Sequence, residues 1–191
     1  MAIKFGLAID AKIEQESTFD RKNYFYPDVC KDYQITQFDF PSTTTGHVDF
    51  EFEGGIERVR ITRAHLEEDV GKNNHFNQHS GVDFNRAGVP LLEIVSEPDI
   101  RSADMAYEYL NALKDILIYG GVSDCDMEKG MVRCDVNISV RPKGTTELGT
   151  KVEIKNMNTF SGVRRAINYE VPRLIETLES GGSLVQETRR W

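Results

Sequence analysis

Three groups of acidic side chains lie within or directly after runs that alternate apolar and polar residues, where they could do chemistry. Glu67, Glu68 and Asp69 directly follow one such run, and Asp135 and Glu153 lie within two others. Carboxylate oxygens are the ligands that Mg²⁺ prefers, and this ion commonly bridges protein acids to substrate phosphates. The acids therefore predict a magnesium-dependent site that handles phosphate groups.

Basic residues are interleaved with these acids in the later part of the chain. They are Arg133, Arg141, Lys151 and Lys155. Such cations could meet phosphate or carboxylate charge, which a face that only binds metal would not need. A solvent-facing strand pair with compensating charges has a similar pattern, so that alternative stays open.

Strand geometry limits how the first acid cluster can act. If the chain stays extended through this cluster, the side chain of Glu68 points away from those of Glu67 and Asp69. The three carboxylates then cannot all bind one ion. His65, two residues earlier, could be a base or a ligand, although a structural histidine on a strand is the more ordinary interpretation.

Other catalytic motifs are weak or missing. His75 and His79 have a spacing compatible with zinc, but "NNHFNQHSG" is typical of a polar loop and has no nearby third ligand. No GxxxxGK[ST], GxGxxG or GxSxG motif is present. The three cysteines form no CxxC pair, which argues against a cysteine zinc site or a disulfide framework and favours a reducing, cytoplasmic location.

Composition excludes several classes of protein. The 191 residues suit one domain, with two short lobes as the alternative, and no apolar run approaches the roughly 20 residues of a membrane span. The amino-terminal segment lacks the features of a secretory signal. A net charge of -8 is the reverse of a free-standing nucleic-acid binder, so a nucleic-acid partner must be held locally or by other chains.

Hydrophobic periodicity predicts the strands that carry these residues. "HVDFEFEGGIERVRIT" predicts a hairpin that turns at Gly54 and Gly55, and "VPLLEIVSEPDI" predicts a strand that Pro98 stops. A third strand has one apolar face, formed by Val132, Cys134, Val136, Ile138 and Val140. A fourth has Val152 and Ile154 on one face, with Lys151, Glu153 and Lys155 on the other. If the last two strands pair, both signs of charge gather on one surface.

Two helices are predicted between and after these strands. The first is capped by Ser102, repeats apolar residues at helical spacing and ends at Gly120 and Gly121. The second covers residues 162–180, with an apolar face of Val163, Ala166, Ile167, Leu174, Ile175 and Leu178. Pro172 lies within it, so we expect either a kink or two separate helices there.

Several longer blocks carry a resemblance to a known family. They are "DRKNYFYPD", "ITRAHLEEDVGK", "VDFNRAGVPLLEIVSEPDIRS", "GVSDCDMEKGMVRCDVNISVRPKG" and "TKVEIKNMNTF", in this order. On these blocks the chain resembles the GatB/GatE family, which includes the B subunit of the Glu-tRNA(Gln)/Asp-tRNA(Asn) amidotransferase. The resemblance extends from about Phe19 to Trp191, and the Asn-Arg-x-Gly-x-Pro-Leu-x-Glu block is highly specific.

The resemblance implies a fold and a reaction. The fold is α+β, a mostly antiparallel sheet with flanking helices and a glutamine synthetase-like catalytic core, in agreement with the predicted elements. The reaction is that of an ATP-dependent carbon–nitrogen ligase with glutamine as nitrogen donor. The side-chain carboxylate of a misacylated tRNA is phosphorylated in a Mg²⁺-dependent step, and ammonia then displaces phosphate. Ammonia comes from glutamine in an A subunit, and a C subunit joins the two in a heterotrimer.

The resemblance also assigns residues. Glu68, Asp135 and Glu153 match the family's metal ligands and catalytic acids, with Glu67 as a neighbouring ligand. Candidates for binding substrate or nucleotide charge are Arg21, Lys22, Asn85, Arg86, Lys151 and Lys155. Two structural alternatives stay open: Lys151 and Lys155 could simply pair with Glu153, and the segment from Asn85 to Pro90 could be a turn that needs the backbone freedom of Gly88.

The chain departs from the family pattern at both ends. Family members begin with a further segment that has a Glu-x-His and a zinc-binding cysteine cluster, and they continue into regions that engage tRNA. We therefore expect a truncated catalytic domain whose metal site is incomplete and which is inactive alone. Rival interpretations are a scaffold or tRNA-holding fragment, a small-molecule carboxylate–amine ligase, and the related archaeal E subunit.

Overall fold

Nine strands follow one another between the first and second helices, and helices and strands are interspersed only in the second part of the chain. The alternation of strands and helices that the sequence suggests is therefore wrong for the first part. The computed structural model describes residues 1–191. The first part contains α1 (Ala2–Ala8), β1 (Lys12–Ile13), β2 (Asp20–Asn23), β3 (Tyr33–Thr36), β4 (Thr43–Thr44), β5 (His47–Phe52), β6 (Gly55–Glu68), β7 (Lys72–His75), β8 (Ser80–Asp83) and β9 (Pro90–Ser96). The second part contains α2 (Ala103–Tyr119), β10 (Cys134–Ile138), β11 (Val152–Met157), α3 (Phe160–Glu179) and β12 (Glu187–Arg190).

The fold class is α+β, with antiparallel sheets and three helices. The chain divides into two compact units, residues 1–48 with 58–99 and residues 49–57 with 100–191. Two lobes are the alternative that the composition leaves open. None of the three helices combines the length and apolar character that a membrane span requires.

The first unit is built around β6, the longest strand. In the five-stranded sheet the strand order is β1-β4-β6-β5, and β9 also pairs with β6. Helix α1 packs on this sheet through Gly6, where a Cβ atom would lie 2.6 Å from Ile13 Cδ1 and 2.7 Å from Thr43 Cγ2. A side chain at this position would force Ile13 and the buried Thr43 to shift, which favours glycine at this close approach. Two further antiparallel pairs, β2 with β3 and β7 with β8, complete the unit.

The predicted hairpin is confirmed. Val48, Phe50, Val59 and Ile61 are buried on β5 and β6, as the alternation indicates. The turn lies one residue earlier than predicted, since Glu53 and Gly54 both have positive φ, of 49° and 79°. Positive φ at both turn residues matches the right-handed twist of the two strands.

The second unit combines two helices with a three-stranded sheet. Its strand order is β10-β11-β12, antiparallel between β10 and β11 and parallel between β11 and β12. Helix α3 packs against α2 and against β10 and β11. The hairpin tip also belongs to this unit, where the ring of Phe50 meets that of Tyr109 edge to face, 6.2 Å between centroids.

The helices confirm the predicted caps and correct one detail. Ser102 accepts a hydrogen bond from the Met105 N–H, as predicted for an N-cap. Of the two alternatives expected at Pro172, separate helices are excluded, because α3 is a single helix with Pro172 inside it and Thr159 as its N-cap. The kink stays a prediction. The neighbouring turns of α3 are held by packing of its buried face, which offsets the hydrogen bond that proline cannot donate.

The predicted apolar face of α3 is correct over its first part only. Val163, Ala166, Ile167 and Leu174 are buried. The last two members of the predicted face, Ile175 and Leu178, are instead exposed. Glu170 takes an inward position between the apolar residues and is 2% exposed.

Candidate functional site

The predicted site residues fall into two groups, one in each compact unit. Residues Arg21, Lys22, Glu67, Glu68, Asn85 and Arg86 lie in the first unit, and Asp135, Lys151, Glu153 and Lys155 lie in the second. Within the second unit the acids come together. That Glu68 shares a metal ion with them stays a prediction.

Glu68 is the last residue of β6 and is held by the hairpin of β2 and β3. Its Oε1 accepts hydrogen bonds from Lys31 Nζ at 2.5 Å and from the Ile35 N–H at 2.8 Å. Burial raises the pKa of Glu68, but these two hydrogen bonds outweigh it and lower that pKa below its usual range. Glu68 also lines a cavity of about 190 Å³, together with Lys31, Gln34 and Gly88. The carboxylate is therefore ionised and faces an open space.

Glu67 points to a different set of partners, as the strand geometry predicts. Its Oε1 accepts a hydrogen bond from Thr36 Oγ1 at 2.8 Å and lies 3.5 Å from His65 Nε2. Burial raises the pKa of Glu67, and the bonds from His65 and Thr36 outweigh it and lower that pKa strongly. Glu67 and Glu68 are thus both anionic but do not share a partner.

His65 and Glu93 form a cluster with Glu67 that sequence reasoning missed. His65 lies directly opposite Glu93 in the pairing of β6 with β9, and its Nε2 is 3.4 Å from Glu93 Oε2. The three possible ligand atoms lie within 4.8 Å of one another. The prediction of a strand histidine is confirmed, since His65 is 2% exposed in β6. Glu93 lies next to His65 only because of the register between β6 and β9, which cannot be read from the sequence.

The two carboxylates of this cluster also shift the pKa of His65. Burial lowers the pKa of His65, but the hydrogen bonds to Glu67 and Glu93 outweigh it and raise that pKa. Its other ring nitrogen, Nδ1, is buried without a hydrogen-bond partner. One imidazole nitrogen and two carboxylates are a ligand set that suits a divalent metal.

Asp69 and Arg86 close the loop that follows β6. The guanidinium of Arg86 donates to the carbonyls of Val70 at 3.0 Å and Gly71 at 2.6 Å, and its Nε lies 3.3 Å from Asp69 Oδ2. Asp69 is 5% exposed, so this pairing keeps a buried carboxylate compensated. The donors of Arg86 are directed at the protein's own loop, which favours a structural role over substrate binding.

Residues 85–88 form a turn that leads into β9 at Pro90, in line with the structural alternative that the sequence leaves open. The backbone N–H and side-chain amide of Asn85 both donate to Asp83 Oδ1, at 2.9 and 2.7 Å. Gly88 has a φ of +81°, and its N–H donates to the Asp69 carbonyl. A side chain at this φ would strain the backbone, which explains the glycine.

Arg21 and Lys22 lie on opposite faces of β2. The guanidinium of Arg21 stands 4.7 Å from the ring centroid of Tyr33, which also has Lys31 Nζ at 4.8 Å. Lys22 is exposed, and its charge helps to lower the pKa of Glu67. Of the two, Lys22 shares its face of the hairpin with Thr36, which donates to Glu67.

Asp135 and Glu153 converge on one cation in the second unit. Lys155 Nζ lies 2.7 Å from Asp135 Oδ2 and 3.3 Å from Glu153 Oε1. Burial raises the pKa of Glu153, and the hydrogen bonds from Thr188 and Lys155 outweigh it and lower that pKa. Two carboxylates from neighbouring strands therefore meet at a single position of positive charge.

A β-bulge produces this convergence. Cys134 pairs with Met157 and Val136 with Ile154, so Lys155 and Asn156 of β11 lie opposite the single residue Asp135. Asn156 takes the left-handed conformation that the extra residue needs, with φ of 73°. Bulges of this kind re-aim side chains and are common beside functional sites.

The polar face next to Glu153 forms a shallow cavity of about 200 Å³. It is lined by Asn137, Lys151, Glu153, Gln186, Glu187 and Thr188. Asn137, Glu153 and Thr188 are register neighbours across the three strands. The cavity offers amide, hydroxyl, carboxylate and ammonium groups, which suits a charged and oxygen-rich ligand.

A comparison with known families identifies the class of protein. The model described as "GatB/GatE catalytic domain" matches residues 1–191, the whole chain. The chain belongs to this family. The resemblance in the sequence blocks is therefore confirmed.

Individual relatives agree with the family. A protein of Caldanaerobacter subterraneus subsp. tengcongensis, named as the B subunit of an aspartyl/glutamyl-tRNA(Asn/Gln) amidotransferase, is 56% identical over all 191 residues. Proteins with the same name from Coxiella burnetii and Carboxydothermus hydrogenoformans are 58% and 52% identical, over 99% and 100% of this chain. The chain spans about 40% of the length of each of these relatives.

Proposed function

We propose that this chain carries the phosphorylating and amidating site of a tRNA-dependent amidotransferase. Its substrate is Glu-tRNA(Gln), Asp-tRNA(Asn) or both, and its products are Gln-tRNA(Gln) and Asn-tRNA(Asn). The names of the relatives support this substrate class. The observation that carries the proposal is the convergence of Asp135 and Glu153 on one cation.

The chemistry proceeds in two steps. An oxygen of the substrate carboxylate attacks the γ-phosphorus of ATP, the bond to the bridging oxygen breaks, and ADP leaves. Ammonia then attacks the acyl carbon, and inorganic phosphate leaves as the amide forms. The first step is needed because a carboxylate is a poor electrophile and an acyl phosphate a good one.

The chief obstacle to the first step is electrostatic. ATP and the carboxylate are both negative, so fixed cations must offset their repulsion and stabilise charge on the transferred group. Lys151, just before β11, and Lys155, within it, supply positive charge beside Glu153. A Mg²⁺ held by Asp135 and Glu153 would supply further positive charge to offset this repulsion.

The residues present fit such an ion. Asp135 and Glu153 are hard oxygen donors whose carboxylates already meet at one cation, the Lys155 ammonium. On the family resemblance we also propose Glu68 as a metal ligand, with Glu67 as its neighbour; both carboxylates are anionic. The cluster of His65, Glu67 and Glu93 is a second candidate site for a divalent ion.

We assign the complete reaction to an assembly rather than to the isolated chain. The proposed partners are an A subunit that releases ammonia from glutamine, a C subunit that joins the two, and the misacylated tRNA. A zinc site is expected in the family, but the three cysteines of this chain are not its ligands. We propose a bacterial cytoplasm or an organellar matrix as the location, with no membrane partner.

Dependence on misacylated tRNA tests the proposal. The protein is assembled with its proposed partners, and ADP release is measured with Glu-tRNA(Gln), with Asp-tRNA(Asn), with correctly paired Glu-tRNA(Glu), and with free glutamate. We expect ADP release with Glu-tRNA(Gln) or Asp-tRNA(Asn) only. Turnover with free glutamate would instead favour a small-molecule ligase, and no stimulation by any tRNA would favour a scaffold.

A further inference from the structure

The Glu153 carboxylate is held at both of its oxygens. Oε1 faces Lys155 Nζ at 3.3 Å, on the side shared with Asp135. Oε2 accepts a hydrogen bond of 2.8 Å from Thr188 Oγ1 in β12. A carboxylate fixed at one oxygen can neither rotate about its last bond nor exchange the two oxygens freely.

Thr188 reaches Glu153 because β12 runs parallel to β11 in a fixed register. Thr188 pairs with Glu153 and Arg189 with Ile154. Since successive side chains of a strand point to opposite faces, Thr188 shares the polar face of Glu153 while Arg189 points to the other. The other face of the sheet is covered by α3.

Three side chains of β12 and its end anchor it to α3. Arg189 Nε lies 3.4 Å from Glu170 Oε2, Glu187 Oε1 lies 3.4 Å from Arg173 Nη2, and the ring of Trp191 meets that of Tyr169 edge to face. The Trp191 N–H also donates to the Lys155 carbonyl at 3.0 Å. The strand is therefore clamped on both sides of Thr188.

Glu170 makes this anchor costly to break. Its carboxylate is 2% exposed and accepts a hydrogen bond of 2.9 Å from Arg173 Nε. A buried carboxylate is tolerated when it is paired, and losing one partner leaves charge uncompensated. Neither Glu170 nor Thr188 belongs to the candidate acids and cations described above. Together, however, they fix the position of one of those acids, Glu153.

We propose that Thr188 is a positioning residue for Glu153, and that the Glu170 anchor holds β12 in register for this purpose. This inference rests on the proposed function, in which Glu153 is a ligand for a divalent ion. Thr188 keeps Oε2 occupied, so Oε1 stays directed at the cation position shared with Asp135. Groups that orient ligands in this way typically alter metal affinity about 10- to 100-fold when removed.

The test compares Thr188→Val with Thr188→Ser. Valine keeps the shape and the β-strand preference but removes the donor, and serine keeps the donor. In the assembled enzyme, Mn²⁺ binding is measured by electron paramagnetic resonance, and the order parameter of the Glu153 side-chain methylenes is measured by NMR without metal. Thr188→Val should weaken Mn²⁺ binding about tenfold and lower the order parameter, while Thr188→Ser should keep both near the wild-type values.

The outcomes separate this inference from the proposed function. Glu153→Gln is measured alongside and should weaken Mn²⁺ binding at least as much as Thr188→Val. If Glu153→Gln weakens binding but Thr188→Val changes neither readout, the positioning role is overturned and the proposed function stands. If Glu153→Gln has no effect on Mn²⁺ binding, the proposed role of Glu153 fails, and with it the purpose assigned to Thr188.

Discussion

Lys155 Nζ lies 2.7 Å from Asp135 Oδ2, across a β-bulge that places two residues of one strand opposite the single Asp135. Burial lowers the pKa of Lys155, but its hydrogen bonds to Asp135 and Glu153 outweigh it and raise that pKa. The ammonium is therefore charged throughout the neutral range and competes with any other cation for these two carboxylates.

Replacing Lys155 separates its competition with Mg²⁺ from its contribution to turnover. Lys155→Met removes the competing cation and should tighten Mg²⁺ binding several-fold, while turnover should fall because a charge near the proposed phosphate site is lost. Stability should change by less than about 1 kcal/mol, since both side chains are more than a third exposed. Titration calorimetry and ADP release measure the effects, with Lys143→Met in an exposed loop as control. Weaker Mg²⁺ binding in Lys155→Met would contradict this account of the pair.

The two N-caps predict losses of stability at sites remote from the acids. Ser102 caps α2 and Thr159 caps α3, each by accepting a backbone N–H, at 3.0 and 2.9 Å. Ser102→Ala and Thr159→Ala should each lower the free energy of unfolding by about 1 kcal/mol. Urea unfolding followed by circular dichroism measures this, with exposed Ser17→Ala as the control. Equal stability of all three variants would show that the caps contribute nothing.

Replacing Pro172 should have the opposite effect on stability. It lies exposed inside α3, where it removes one helical hydrogen bond from the Asn168 carbonyl. Because alanine restores the N–H and suits a helix, Pro172→Ala should raise the free energy of unfolding by about 1–3 kcal/mol. The same unfolding experiment tests it. A loss of stability would mean that the proline ring makes contacts worth more than the missing bond.

The cysteines should differ in their reaction with alkylating reagents. Cys30 is exposed, whereas burial raises the pKa of the Cys125 thiol and raises that of Cys134 to about 12, with a smaller contribution from Asp135. Since the thiolate is the reactive form, iodoacetamide at pH 8 should label Cys30 at least about tenfold faster than the other two. Raising the pH to about 9 should leave Cys134 protonated and slow. Peptide mass mapping over time checks this, and early labelling of Cys134 would refute its raised pKa.

Local patterns predicted most of the elements, because the apolar parity of a strand and the 3.6-residue period of a helix are written in neighbouring residues. The separate orientations of Glu67 and Glu68 followed from the same alternation. The buried face of α3 was predicted only in part. Ile175 and Leu178 have the helical spacing of that face, but they lie on the last turns of the helix, beyond the surface against which α3 packs.

Contacts set by long-range register could not be predicted. Glu93 meets His65 only because β9 pairs with β6 at that register, and Thr188 meets Glu153 only through a parallel pairing. The bulge at Asp135 has a weak signal in Asn156, a residue that tolerates positive φ. Arg86 donates to backbone carbonyls of its own loop. Every residue has a backbone carbonyl, so the sequence does not show which of them a side chain will contact.

The central claim is that the acids of the second unit hold the ion that ATP-dependent activation requires. It is tested most directly by the Mg²⁺ dependence of ADP release with misacylated tRNA, in the assembled enzyme and its Asp135→Asn variant. The matched control is Glu147→Gln, an exposed acid in the loop between β10 and β11. We predict that Asp135→Asn abolishes ADP release at every Mg²⁺ concentration while Glu147→Gln retains it. Wild-type ADP release and Mg²⁺ dependence in Asp135→Asn would contradict the account.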